Sequence, residues 1–276
     1  MPKEQKAGPP ALHLKSISYH PFSDAKGFPF ILPLVQSLDT LAFSTPVTLF
    51  VGENGTGKST VLEAIACAVD AVTVGSESLR TDKSLAEVRR LAQALKLAWG
   101  KRTHRGFFLR AEDFFGYARQ MSKAKAELEQ DLKAVDEDYK GRSAFAINQA
   151  KMPYQHELGD MQRRYGEGLD QRSHGESFLA LFQNRFVPDG LYLLDEPEAP
   201  LSPLRQLAFL AMLKEMVEQN GQFIIATHSP IILAFPGATI LSFDKLPIQP
   251  VKYEELEHVN LTKAFLNDPE AFLHRL

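Results

Sequence analysis

Sulfur chemistry is nearly absent from this chain: of 276 residues one, Cys67, is a cysteine. That excludes an intrachain disulfide and a zinc site built from several thiolates. A lone thiol suits a reducing compartment, and a cytoplasmic location is the expectation. Long apolar runs are missing as well. No stretch approaches the ~18 residues that a membrane-spanning helix requires, and the most hydrophobic helical candidate, Thr60 to Val74, is interrupted by Glu63 and Asp70. No membrane insertion is expected. Nor is there an excess of one charge. The 31 Lys and Arg stand against 34 Asp and Glu, a net −3, so global basicity does not argue for nucleic acid or an anionic membrane. Low complexity is confined to MPKEQKAGPP, residues 1–10, which lacks an apolar core and reads as a disordered tail rather than a secretory signal. What remains, 44% hydrophobic and 24% charged, has globular composition and the length for a real core.

Several short apolar or alternating runs read as strands: Leu14 to Tyr19, Val47 to Val51, Gly106 to Leu109, Leu191 to Leu194, Gln222 to Thr227 and Ala238 to Phe243. Pro203 to Gln219 has helical periodicity, with proline placed to start it. Strand, helix and strand in succession imply parallel βα units. The middle of the chain reads differently. Leu85, Val88, Ala92, Leu95 and Trp99 form one helical stripe, and Met121, Ala124, Leu128, Leu132, Val135 and Tyr139 form another. The second predicts a short helical insertion rather than a long coiled-coil arm. From Arg80 to Arg172 there are 19 Lys and Arg against 14 Asp and Glu, so this segment is net basic within an acidic chain. A solvated helical face explains that; a contact surface for phosphates or an acidic partner is the sharper alternative.

Chemistry enters at Gly52-Glu53-Asn54-Gly55-Thr56-Gly57-Lys58-Ser59, which fills every position of G-x-x-x-x-G-K-[ST] between a strand and a helix. Three glycines let the backbone curl so that its N–H groups face phosphate oxygens. The helix starting near Lys58 adds its positive dipole end. Lys58 can reach the β- and γ-phosphates, the Ser59 hydroxyl can ligate Mg²⁺, and Thr60 can add an α-phosphate contact. A second element is Leu191-Tyr192-Leu193-Leu194-Asp195-Glu196, an apolar strand ending in two acids. Such a strand delivers its last residues to the ligand crevice of an α/β sheet. Successive strand residues point to opposite faces, so the strand must be ending there for both acids to turn inward. Asp195 then suits Mg²⁺, and Glu196 suits polarising the water that attacks the γ-phosphate.

Together these pieces resemble an ABC-type ATPase. Arg172-Ser173-His174-Gly175-Glu176-Ser177 resembles that family's signature motif, 20 residues before Asp195; Thr227-His228-Ser229-Pro230 resembles its switch-histidine loop; Ala199-Pro200-Leu201-Ser202 stands where its D-loop would. Arg172, His174 and Glu176 replace the usual Leu, Gly and Gln. The chain as a whole is most similar to a compact bacterial family of predicted ABC-type ATPases, within the wider group of SMC and RecF-like proteins. Segments 106–115, 173–182, 192–198 and 261–270 carry that likeness. The resemblance implies ATP and Mg²⁺ as ligands, hydrolysis of ATP to ADP and phosphate, and an ATP-dependent homodimer. Ser173 and Gly175 of one copy would face the phosphates held by the other, with His228 beside the γ-phosphate.

The fold class expected is α/β: a P-loop NTPase of the ABC type with a mostly parallel core sheet, an antiparallel N-terminal portion and a helical insertion. One domain would span 11–276: a phosphate-loop lobe at 11–79, the insertion at 80–172, a lobe carrying the signature and acids at 173–245, and a C-terminal segment at 246–276. Weaker signals are Arg110-Ala111-Glu112 at the position of the family's Q-loop, an adenine-stacking aromatic among Tyr19, Phe22, Phe28 and Phe30, and a basic patch at residues 101–105 beside Trp99. Cys67 reads as buried packing. Three functions compete: a soluble ATPase serving DNA maintenance, defence or a related assembly, with a DNA or protein partner on the insertion; the nucleotide-binding subunit of a membrane transporter; and a nucleotide-gated scaffold. The intact Glu196 argues against the last.

Overall fold

The computed structural model describes residues 12–74, 78–165 and 174–274. The tail expected at residues 1–10 lies outside them. In chain order the elements are β1 (Leu14–Tyr19), α1 (Pro33–Gln36), β2 (Thr40–Ala42), β3 (Val47–Val51), α2 (Lys58–Ala68), α3 (Ala86–Gln93), β4 (Leu95–Trp99) and β5 (Gly106–Arg110). There follow α4 (Ala111–Asp138), α5 (Ala144–Tyr165), α6 (His174–Arg185), β6 (Leu191–Asp195), α7 (Pro203–Glu218), β7 (Gln222–Ala226), α8 (Pro230–Leu233), β8 (Thr239–Ser242), β9 (Gln249–Val251), α9 (Glu257–Asn267) and α10 (Pro269–Leu273).

The strands form two sheets. The larger has the order β5-β6-β7-β3-β8-β9, parallel except for the antiparallel edge strand β9. The smaller, β2-β1-β4, is antiparallel. Strands β3, β6 and β7 are buried along their whole length, as a sheet covered on both faces requires. The two-residue alternation then divides their side chains. Phe50, Leu193 and Ile224 join one core with the small sheet, α2 and α3; Leu49, Leu194 and Ile225 join the other with α6, α7 and α8.

The middle segment departs from the expectation. Residues 80–172 are not one helical insertion. The stripe from Leu85 to Trp99 breaks in two, with α3 carrying Val88 and Ala92, and Leu95 and Trp99 lying in β4. The run Leu95-Lys96-Leu97-Ala98-Trp99 also alternates in burial, and pairing with β1 selects the two-residue period. Helical structure belongs to α4 and α5, which pack as an antiparallel hairpin. At 28 residues α4 is longer than its apolar stripe. The 22-residue α5 falls within the expected helical segment, although no apolar stripe was assigned to it, and it carries Pro153 inside.

Candidate functional site

Parallel strands of the main sheet bring their C-terminal ends to one edge. The register sets Arg110 beside Asp195, Asp195 beside Ala226 and Phe50 beside Ala226. The segments that follow therefore emerge side by side: the glycine loop after β3, Glu196 after β6, His228 after β7 and Asp244 after β8. Strand β7, which leads to the histidine loop, lies between the glycine-loop strand and the acid strand.

The loop from Gly52 to Gly57 curls as its glycines permit. Gly52, Gly55 and Gly57 have φ of 154°, 84° and 94°. Gly57 is the left-handed N-cap of α2, and a Cβ there would lie 2.6 Å from the Leu34 side chain of α1; a larger residue is excluded by both conformation and space. Glu53, Asn54 and Gly55 are exposed, whereas Lys58 is buried. The Lys58 ammonium donates to the Gly52 and Glu53 carbonyls at 2.7 and 2.9 Å, bracing the loop from inside. Burial lowers the Lys58 pKa; Glu196, Asp195, Asp244 and Glu198 oppose the shift.

Ser59 and Asp195, 136 residues apart, meet: the Ser59 hydroxyl donates to Asp195 Oδ1 at 3.1 Å. Burial pushes the Asp195 carboxyl up to about 7, with the Ser59 bond opposing and Glu63, Glu196 and Glu112 adding to it. Glu196 is half exposed and has φ of 49°, in the left-handed region. The strand thus ends between the acids, and its alternation no longer holds them on opposite faces. Glu196 donates its N–H to Ala226 O at 2.9 Å, and its Oε1 lies 3.7 Å from His228 Nε2. The His228 N–H donates to Glu198 Oε1 at 2.7 Å. Burial and the Lys58 charge lower the His228 pKa while the Glu196 charge opposes them, and the net lowering favours a neutral imidazole near pH 7.

Two participants escaped the sequence reading. Asp244 Oδ1 accepts the Glu53 N–H at 2.7 Å and tethers the loop from β8. Glu198 holds the histidine loop, with burial raising its pKa. Both sit among common residue types without periodicity; only the sheet order makes them neighbours of the loop.

Arg110, in register with Asp195, and Glu112, two residues on, sit at the same edge. The Arg110 guanidinium meets three carboxylates, with Nε on Asp113 at 2.8 Å, Nη1 on Glu63 at 3.1 Å and Nη2 on Asp82 at 3.0 Å. Glu112 adds to the field that raises Asp195. Ser173 lies outside the described residues. Gly175, in the first turn of α6, is packed against the same chain: a Cβ there would be 2.8 Å from Pro200 O and 2.9 Å from the Arg205 side chain. Among the aromatic candidates, Phe30 is core and Tyr19 is partly buried against that core, whereas Phe22 and Phe28 are exposed. The basic patch at 101–105 precedes β5 and so lies at the opposite end of the sheet from the glycine loop. Lys101 pairs with Asp189 at 2.7 Å and Arg105 donates to Pro188 O at 3.3 Å. Cys67 is half-buried, and burial raises its thiol to about 11, consistent with packing.

Residues 29–91 match a family model described as "AAA domain", and residues 177–234 match one described as "AAA domain, putative AbiEii toxin, Type IV TA system". These two segments hold the glycine loop, the acids and His228. These matches support a P-loop ATPase. A Haemophilus influenzae protein named "Uncharacterized ABC transporter ATP-binding protein" is 27% identical over 88% of this chain and 87% of its own. The "Energy-coupling factor transporter ATP-binding protein EcfA2" of Streptococcus sanguinis is 24% identical over 95% of this chain and 90% of its own. A solved nucleotide-free ATP-binding cassette from an ABC transporter aligns at 15% identity, covering 94% of this chain and 97% of that one, with a TM-score of 0.47. No helix among the described residues is long and apolar enough to cross a membrane.

Proposed function

We propose that the chain binds ATP with Mg²⁺ at the loop between β3 and α2, hydrolyses it to ADP and phosphate, and closes into a head-to-tail dimer while ATP is bound. The observation that carries this reading is the 3.1 Å bond between Ser59 and Asp195. It sets a hydroxyl and a carboxylate, both hard oxygen donors, beside a glycine loop exposed at Glu53, Asn54 and Gly55. That donor set fits Mg²⁺, which takes one or two protein oxygens and completes its shell with water and phosphate oxygens. The ion would be held by Ser59 and Asp195 and would neutralise charge on the β- and γ-phosphates. Loop N–H groups beyond Glu53, whose own N–H is held by Asp244, cradle the phosphates with the N-terminus of α2, and Lys58 neutralises them. Glu196 accepts a proton from the attacking water. Neutral His228 donates to a γ-phosphate oxygen and keeps that water near Glu196. Ser173 and Gly175 of a second copy close the site from across the interface. Lys58→Ala tests the reading: turnover should fall at least 100-fold in a phosphate-release assay, and a variant with full activity refutes the role of the loop.

The biological setting has two supported readings. The names of both curated relatives, over nearly the whole chain, favour the nucleotide-binding subunit of a transporter. The α4–α5 hairpin, with exposed Phe145 and Met152 on α5, favours a soluble assembly in DNA maintenance or defence, with a partner on the hairpin. Purification from the native host separates them: transporter membrane subunits would copurify in the first case, soluble protein or DNA in the second.

A further inference from the structure

We propose that the cavity between α2 and α3, at the end of α2 remote from the glycine loop, is a binding site for a small organic anion, a compound carrying a carboxylate or a phosphate ester. This site shares no residue with the glycine loop, the acids or the histidine loop, and its existence does not depend on ATP hydrolysis. The cavity holds about 310 Å³, and its walls include Cys67 from the last turn of α2, Asp70, Arg80, and Arg89 and Gln93 of α3. Buried Leu79 and Ala92 complete it on the core side. Small-molecule sites begin at about this size and set a few placed polar groups against apolar walls.

A helix end and a turn build these walls. Helix α2 stops at Ala68, and Asp70 follows in the left-handed region at φ 55°, the conformation that turns a chain out of a helix. Arg80 takes its carboxylate with two nitrogens, Nε at 3.0 Å and Nη2 at 2.6 Å. The one acid in the cavity wall is therefore already paired. Arg89 is held by the turn before α3: its Nη1 donates to Leu79 O at 3.0 Å and to Asp82 O at 2.6 Å. Among the described residues its Nε and Nη2 have no partner. Neutral carbonyls thus brace this cation without cancelling its charge. Glu63 and Asp82, acids of the neighbouring α2 face and turn, bind Arg110 instead.

The chemistry follows from the guanidinium. With one nitrogen anchored and two open, Arg89 is pre-organised to meet two oxygens of a carboxylate or phosphate side by side. The Gln93 amide, exposed on α3, adds a neutral donor. Two cations and one acid line the cavity, a surplus of one positive charge, so one negative charge balances it. A cationic ligand would meet Arg89 with no unpaired acid to answer it. A wholly apolar ligand would strip water from the Arg89 N–H groups and return no bond to them.

Cys67, the one cysteine of the chain, lines the cavity and so reports its occupancy. The experiment follows the rate at which methyl methanethiosulfonate, a small neutral reagent, modifies Cys67 in the whole chain, read by mass spectrometry. It is run at about pH 9, because burial holds the thiol up at about 11. The probes are 2-naphthoate, 2-naphthyl phosphate and the neutral 2-naphthamide, each at millimolar concentration. At least one anion should slow modification about five-fold or more and saturably, and the amide less than two-fold; the anion that protects names the head group. Arg89→Leu should abolish protection. Gln93→Glu, which leaves the Arg89 brace intact and adds a negative charge, should weaken it about five-fold, and decides the matter if Arg89→Leu unfolds the turn. Lys58→Ala should keep full protection, since Lys58 lies at the other end of α2. Failure of both anions to protect, equal protection by the amide, or protection unchanged in Gln93→Glu would overturn the proposal. Loss of protection in Lys58→Ala would place the anion in the phosphate loop and overturn it as well.

Discussion

At the scale of single residues, the site stores its tension in Asp195. Its carboxyl is buried and titrates at about 7 in the folded chain, against roughly 3.9 when unfolded. The folded state thus holds its proton through a range in which the unfolded state has lost it, so this group costs stability as pH rises from about 4 to 7. Asp195→Asn removes the cost. Without nucleotide or metal, the variant should resist urea better than the native chain by about 2–4 kcal/mol at pH 8, with the gain vanishing by pH 4. An unchanged or lowered midpoint at pH 8 would show that the carboxylate is not strained there. Such roles were legible where a residue's chemistry and neighbours are local. The glycine loop, Lys58 and the two acids could be read in order, and even the break between Asp195 and Glu196 follows from strand alternation. Asp244 and Glu198 could not. Their significance lies in contacts over 30 to 191 residues of sequence, and nothing local distinguishes them from solvated side chains.

At the scale of elements, Arg110 ties the nucleotide edge to the helical hairpin. Each of its three guanidinium nitrogens takes a different carboxylate: Glu63 on α2, Asp82 before α3 and Asp113 in the first turn of α4. All four side chains are at least three-quarters buried. Removing the cation would leave three acids facing one another, and breaking a buried pair in this way costs about 3–5 kcal/mol. Arg110→Ala should therefore lower the unfolding free energy by about that much in a denaturant titration. Arg110→Lys should recover only part of it, because a point charge cannot bridge three partners. A loss under 1 kcal/mol would mean that the cluster is solvated. Legibility at this scale followed the strength of the period. The buried strands and α7 were recovered within a residue or two. Strand β4 was not, since Leu95 and Trp99 satisfy both a four-residue and a two-residue spacing until β1 is alongside. Helix α5 fell within the expected helical segment but without bounds of its own, since no apolar stripe marked it.

At the scale of the whole molecule, one copy supplies a phosphate loop, two acids and a histidine loop on one edge of its sheet. Gly175 instead packs on Pro200 and Arg205 at the start of α7. This is the division expected if two copies complete each other's sites. Just beyond Pro200, the first turns of α7 present Leu204 at 77% exposure and Leu207 at 55%. Neighbouring exposed leucines mark an interaction surface better than scattered ones do. Glu196→Gln retains the phosphate-binding groups but lacks the proposed base, so with ATP and Mg²⁺ it should elute at twice the monomer mass in light scattering, and return to monomer with EDTA. Leu204→Glu in that background should weaken the dimer at least ten-fold while leaving ATP affinity within two-fold, since it lies outside the loop. A Glu196→Gln chain that stays monomeric at tens of micromolar, with ATP demonstrably bound, would rule out the sandwich and leave hydrolysis to a single copy or to a different partner. A dimer indifferent to Leu204 would move its interface elsewhere on the molecule.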